Sequence, residues 1–505
     1  MLLLQHGLLF DGSGAEPVRG DVLIDGDRIV GMGTIESQVD WQRLDCNSLA
    51  VAPGFIDLHS HSDLQVLQED CTEKVQQGVT TEVVGNCGFS PFPQGDHPHD
   101  LCQFGGGILG RRDGWGWQSA TAYLDAVAIY GKNVRVAPLV GHGSLRVAVA
   151  GLRQGRLTPE ELDRLSGLLE DSLAAGCAGF STGLMYAPGS SADKQELEHL
   201  CKIVAASGKL YATHMRSYAE GLVDAVREQL DIARATGCRI QISHLQAAGR
   251  ANWHLQPLAL DEIETARSEG IDLEFDIYPY QCGSTVLTQW LPQWALEGGA
   301  EALVNRLRNP ATREQIRDET ERARSQEWTD ISISGLGSDR NAPLIGKTMA
   351  EAAAVRGRAP VDTALDLLIE EDAAINVISF NQSESNLRQL LTHPLCSVIS
   401  DGFYVKGKPH PRLHGTFPEL LGSVVRERRW MKLSEAIHKI TGKPASRLGL
   451  RDRGFLRDGY AADLTLFDPD RIRSRATYES PDISPEGISY VIKNGEIGYR
   501  ESRIP

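Results

Sequence analysis

The chain has 505 residues, with 51 Lys plus Arg against 67 Asp plus Glu and a formal charge of −16. Hydrophobic residues at 41% and charged residues at 23% describe a globular protein with a large core, which excludes disordered, collagenous and coiled-coil classes. The acidic balance argues against nucleic-acid and membrane partners, and nine cysteines in so long a chain do not make a disulfide scaffold, so a cytoplasmic protein is expected.

Both ends of the chain read as strands. Leu2 to Phe10 runs into a turn at Asp11-Gly12, and Asp21–Ile24 and Arg28–Met32 flank Asp25-Gly26, a hairpin signal. At the other end, Ala462–Phe467 alternates apolar and polar residues, and Ser489–Ile492 and Glu496–Tyr499 flank a second hairpin signal at Asn494-Gly495. These features predict a small, discontinuous, sandwich-like β-domain from residues 1–52 and 453–505, wrapped around a different middle.

Residues 53–452 alternate short apolar strands with helices, the pattern of an α/β fold with parallel strands. One helix is fully punctuated: Thr158 with Glu161 forms a capping box, Pro159 takes the first helical position, and Gly176 ends it. The strand candidates are Phe55–His59, Val79–Val84, Val134–Val140, Ala178–Ser181, Leu210–His214, Ile240–His244, Leu273–Tyr278, Val377–Phe380 and Ser397–Asp401. That is one more than a (β/α)8 barrel needs, so either Val377–Phe380 or Leu273–Tyr278 lies outside it. Residues 285–345 break the rhythm and include a charge-dense helix over Pro310–Trp328, which reads as an insertion, either a decoration or a lid over the active-site face.

Chemistry-bearing residues gather at the strand ends. His59 and His61, two apart in a strand, point the same way. Cys87, His214, His244 and Asp401 each close a further predicted strand. The C-terminal ends of barrel strands surround one mouth, so residues far apart in sequence become neighbours there. Four imidazoles, a thiolate and a carboxylate suit zinc, either as one tetrahedral site with an open position or as two adjacent ions bridged by Cys87. His142 also ends a strand and is a further candidate, whereas His97 and His99 sit in a Gly/Pro/Asp loop and are expected to be solvated. Cys177, Cys238 and Cys396 begin strands, the wrong end for chemistry.

The segment Pro53-Gly-Phe-Ile-Asp-Leu-His-Ser-His61, with Ala461-Ala-Asp-Leu464, resembles the amidohydrolase superfamily. Gly85-Asn-Cys-Gly88, Ala212-Thr-His-Met-Arg216, Tyr278-Pro-Tyr280, Ser400-Asp-Gly402 and His410-Pro-Arg-Leu413 resemble the N-acyl-D-amino-acid deacylase (D-aminoacylase) family, in order across almost the whole chain. The resemblance implies a tight zinc (Zn²⁺) on Cys87, His214 and His244, with a second, weaker site on His59, His61 and Asp401. It makes Asp401 the general acid/base, puts Tyr278, Ser284 and Arg412 on the substrate, and implies a small-molecule N-acyl amino acid as that substrate. No candidate strand ends in the lysine that bridges two metals in the hydantoinase and dihydroorotase branches, which disfavours a cyclic-amide hydrolase. A non-catalytic metal-binding shell is the other alternative, and the six intact positions argue against it. Gln246 stands where the family usually has lysine, taking one positive charge from the expected carboxylate pocket. The sequence sets no oligomeric state.

Overall fold

The computed structural model describes residues 1–110 and 115–501; residues 502–505 of the expected terminal β-unit lie outside them. Strands from both ends share one eight-stranded sheet, in the order Glu496–Arg500, Ile488–Lys493, Leu464–Phe467, Ala50–Pro53, Leu2–Leu9, Val18–Asp25, Arg28–Gly33, with Gln42–Asp45 also paired to Leu2–Leu9. Both hairpins form where Asp25-Gly26 and Asn494-Gly495 predict them; Asn494 and Gly495 take φ of 51° and 81°, the left-handed region such two-residue turns demand. Leu4, Val22, Val51, Leu464 and Ile492 form the apolar core of this sheet.

The middle of the chain is the expected barrel. Eight parallel strands run Phe55–Asp57, Val79–Val84, Arg135–Gly141, Gly179–Gly183, Leu210–His214, Arg239–Ile242, Leu273–Ile277 and Cys396–Val398. The ring closes through the bridge between Ser60 and Gly402, with Asp401 N donating to His59 O at 2.8 Å and His61 N to Gly402 O at 3.0 Å. Strands such as Val79–Val84 are buried on both faces, so they show no alternation of exposed and buried residues. The capping box of Thr158 and Glu161 opens the helix Pro159–Ala175, and Gly176 caps its end.

Of the two doubtful strands, Leu273–Ile277 belongs to the barrel and Asn376–Phe380 does not. The latter pairs antiparallel with Cys282–Val286 and Ile331–Gly335 in a separate three-stranded sheet. The interruption is therefore longer than 285–345: from Cys282 to Phe380 the chain builds a unit with its own core, including Leu303, Ile316, Ile333, Leu365 and Val377. The charge-dense helix is shorter than predicted, spanning Pro310–Ala323 on an Asn309 cap. Residues 324–328 leave it so that the Trp328 ring can be buried. No described helix is long and apolar enough to cross a membrane.

Candidate metal centre and active site

Five barrel strands deliver the cluster. His59 and His61 follow Phe55–Asp57, Cys87 follows Val79–Val84, His214 ends its strand, His244 follows Arg239–Ile242, and Asp401 follows Cys396–Val398. Three of these residues pay in backbone strain, with φ of 54° at Cys87, 34° at His244 and 48° at Asp401. A non-glycine residue holds such a conformation only where its surroundings over-determine it. Around Cys87 they do: a Cβ on Gly85 would strike the Leu139 carbonyl, and one on Gly88 would lie 2.7 Å from Gly183 N. The Asn-Cys turn is thus wedged against the next two strands.

The six side chains converge. Cys87 Sγ lies 3.3 Å from His59 Nε2 and 3.4 Å from His244 Nε2. His244 Nε2 is in turn 3.1 Å from His214 Nδ1. Asp401 Oδ1 lies 3.4 Å from His59 Nε2 and 3.2 Å from His61 Nε2. Two triads place all their ligand atoms within 4.8 Å of one another: His59, Cys87 and His244, and His59, His61 and Asp401. The second matches the expected weaker set. In the first, His59 takes the place the resemblance gives to His214, which adjoins through His244.

These groups fit a metal ion better than they fit each other: His244 Nε2 faces both Cys87 Sγ and His214 Nδ1 within 3.4 Å, and His214 Nε2 is buried without a hydrogen-bond partner among the described residues. Buried polar groups are rarely left so. Burial pushes His61 and His244 down to about 4 and His214 well below the usual imidazole range, so all three are neutral, the form that binds metal. Burial pushes the Cys87 thiol up to about 11, and a coordinated cation would reverse that. Burial would also raise Asp401, but Arg412, His59 and His61 outweigh it and hold the carboxyl well below its ordinary range.

The cluster forms the floor of a cavity of about 540 Å³. Gln246, Tyr278 and Ser284 line it; Tyr278 OH donates to Gln246 Oε1 at 3.3 Å. Ser284 Oγ donates to Val377 O at 3.1 Å, across the inserted sheet. Arg412 lies one layer back: its Nη1 is 2.9 Å from Asp401 Oδ2 and its guanidinium stacks 4.5 Å over the Tyr278 ring. Its first partner is therefore the carboxylate of Asp401. His142 stands apart from the cavity, with Nε2 2.8 Å from Glu196, which also takes both bonds from Arg146 Nη1.

Sequence reasoning missed three contributors. Asp276 accepts from His244 N at 2.7 Å and lies 3.5 Å from His59 Nδ1, so one carboxylate braces two candidate ligands. The available signal was an acidic residue, Asp276, buried between Phe275 and Ile277 near the end of a strand that also carries Glu274. Asn381 donates to Gln246 Oε1 at 3.1 Å from just beyond the inserted sheet, where nothing in the sequence marks it. Beneath the cluster, Lys74 Nζ meets Asp57 Oδ2 at 2.6 Å, Ser400 Oγ at 2.6 Å and Glu82 Oε1 at 3.1 Å.

Comparison with known proteins agrees with this architecture. The model of a family described as Amidohydrolase family matches residues 42–499. The chain is 34% identical over 498 residues to an N-acyl-D-glutamate deacylase of Alcaligenes xylosoxydans xylosoxydans, covering 98% of this chain and 92% of that one. It is also 34% identical to a D-aminoacylase of the same organism, covering 99% and 94%. The crystal structure of N-acyl-D-glutamate deacylase from Bordetella bronchiseptica, complexed with zinc and a phosphonate mimic of the tetrahedral intermediate, superposes with a TM-score of 0.86 at 33% identity, covering 100% of this chain and 97% of that one. The chain therefore belongs to the amidohydrolase family, in the branch of the D-aminoacylases.

Proposed function

We propose that this protein is a zinc-dependent hydrolase of the amide bond of N-acyl-D-amino acids, releasing a carboxylate and a free D-amino acid. The observation that carries the reading is Asp401: a buried, ionised carboxylate beside His59 and His61, at the floor of a cavity large enough for a small amide. The relatives are deacylases of D-amino-acid derivatives, and that is the ground for the D configuration.

Cys87, His214 and His244 would hold the tight ion, with His59 beside it, and His61 and Asp401 would complete a second, weaker position. Bound there, zinc supplies Lewis acidity, which brings the pKa of water towards ~7 and polarises the amide carbonyl. Asp401 takes the proton of the attacking water and passes it to the leaving nitrogen. Arg412 keeps Asp401 ionised so that it can act first as base. Tyr278, Gln246 and Ser284 form the polar wall for the substrate's carboxylate, with the Arg412 charge directly behind the Tyr278 ring. Buried thiols and the absence of a disulfide among the described residues support a reducing cytoplasm as its compartment.

The test is Asp401→Asn. Turnover of N-acyl-D-amino acids falls by about 10²–10⁴-fold, as loss of a general acid/base does, while zinc measured by mass spectrometry stays bound. Turnover near that of the parent protein would remove Asp401 from the mechanism.

A further inference from the structure

The reaction centre has two unlike flanks. On one, Tyr278, Gln246 and Asn381 present hydroxyl and carboxamide groups. On the other, a file of aromatic rings leads away from the cluster. Tyr186 lies 4.8 Å from the His214 ring, Phe89 lies 4.8 Å from Tyr186, and Phe104 stacks 4.6 Å from Phe89. These rings border a second cavity of about 840 Å³. It shares Ile108, Met185, Tyr186 and Gln289 with the first, so the two chambers adjoin along one wall.

The second chamber has a largely apolar wall, interrupted by Gln103, Thr288, Gln289 and Asn305. Trp115, Leu152, Val286, Leu296, Leu303 and Val304 line it, the last two from the inserted helix Gly299–Arg308. Its charged residues, Glu301, Arg308 and Asp372, are all exposed, as is His99, so charge stays at the mouth. None of Tyr278, Gln246 and Asn381 reaches it. An N-acetyl amino acid is far smaller than the drug-sized ligands that fill cavities of ~300–1,000 Å³. The first chamber alone exceeds its needs, and the second would be idle.

We propose that this chamber receives the acyl half of the substrate and that its preferred acyl group is an extended aliphatic chain. The inference rests on the deacylase reading above. With the amide over the cluster and the carboxylate against the polar wall, the acyl carbon's substituent leaves on the aromatic flank. The water oxygen bonds to the acyl carbon, the C–N bond breaks, and the nitrogen takes the proton, giving a fatty carboxylate and a free amino acid. Burial of each further methylene favours the longer chain until the chamber is filled.

The experiment compares N-acetyl-, N-hexanoyl- and N-decanoyl-D-leucine with the zinc-loaded full chain. The expected result is a rise in kcat/KM of at least about tenfold from acetyl to decanoyl, carried by KM. Ala300→Phe, on the chamber wall outside the first cavity, removes that gain. Equal kcat/KM across the series, with acetyl turned over, overturns the proposal and leaves the deacylase reading standing. A gain that survives in Ala300→Phe also overturns it, as does a gain with long D side chains on acetyl substrates, which would assign the chamber to the amino-acid half. Should no N-acyl amino acid turn over, the deacylase reading fails, and binding decides the chamber by itself. Quenching of tryptophan fluorescence by decanoate but not acetate, lost in Ala300→Phe, then supports it; no quenching by decanoate overturns it.

Discussion

Two polar clusters are buried inside the barrel, one above the other, and they differ in whether they close on themselves. In the lower one, Lys74 meets Asp57, Glu82 and Ser400, and Ser62 donates to Glu82 at 2.9 Å. Its single ammonium sits between both carboxylates and its donors find acceptors, with none of these residues at positive φ. The upper one holds four imidazoles, Cys87 and Asp401 with ring nitrogens left over and three residues at positive φ. A satisfied network is complete without any ligand, whereas an unsatisfied and strained one is arranged for a group the polypeptide does not supply. The two are linked covalently: Asp57 lies two residues before His59, and Ser400 immediately before Asp401. Asp57 Oδ1 accepts from Ser400 N at 3.0 Å, so the lower cluster pins the first and last strands that carry the upper one.

That contrast can be broken one residue at a time. The largest effect on metal is expected from Cys87→Ala, which removes the shared thiolate. Zinc content by mass spectrometry should fall below half of the parent value, and kcat/KM should drop by more than ~100-fold, beyond what loss of a partner outside the ligand set costs. The fold should survive, so an unfolded variant would contradict the assignment of this cluster to the ligand rather than to the core.

Lys74→Met is the converse. It leaves Asp57 and Glu82 facing each other without their cation, which should cost about 3–5 kcal/mol of stability. Denaturant titration reads this directly; a loss below about 1 kcal/mol would mean that the lower cluster is not the structural partner described here.

Asp276→Asn probes the carboxylate that braces the upper cluster. It weakens the acceptor of His244 N and removes the charge 3.5 Å from His59 Nδ1, with an expected loss of ~10–100-fold in zinc affinity or activity. Competition with a chelator measures the affinity, and an unchanged value would reduce Asp276 to a backbone brace.

The smallest effect is expected from Gln246→Lys on the polar wall. One added cation beside the substrate should raise kcat/KM for N-acyl-D-glutamate over N-acyl-D-leucine by about fivefold, equivalent to ~1 kcal/mol. An unchanged ratio would place Gln246 away from the acidic side chain.

The site was legible to the extent that it sits at strand ends. A parallel strand buried on both faces is a short stretch rich in Val, Ile and Leu, and a His, Cys or Asp closing it stands out. His59, His61, Cys87, His214, His244 and Asp401 were found that way, and the hairpins and the Thr158 capping box were found from equally local rules. Asp276 was within reach of the same rule, but its Leu273–Ile277 strand was itself in doubt. Nothing local separated that strand from Asn376–Phe380, because both are five residues long and mix apolar with polar side chains. Partner choice decides between them: Leu273–Ile277 pairs parallel with Cys396–Val398, and Asn376–Phe380 antiparallel with Cys282–Val286, each far away in sequence.

Length, composition, strand rhythm and strand-end chemistry, all properties of single segments, were enough to establish an α/β barrel carrying a zinc-suited ligand set. The tertiary structure alone decided how the segments meet. It extended the inserted unit to Phe380, brought Asn381 onto Gln246, turned Arg412 towards Asp401, and opened a second chamber between the helix Pro98–Gly105 and the inserted helix. Each of those depends on distant chains packing against one another, and local periodicity carries no record of that.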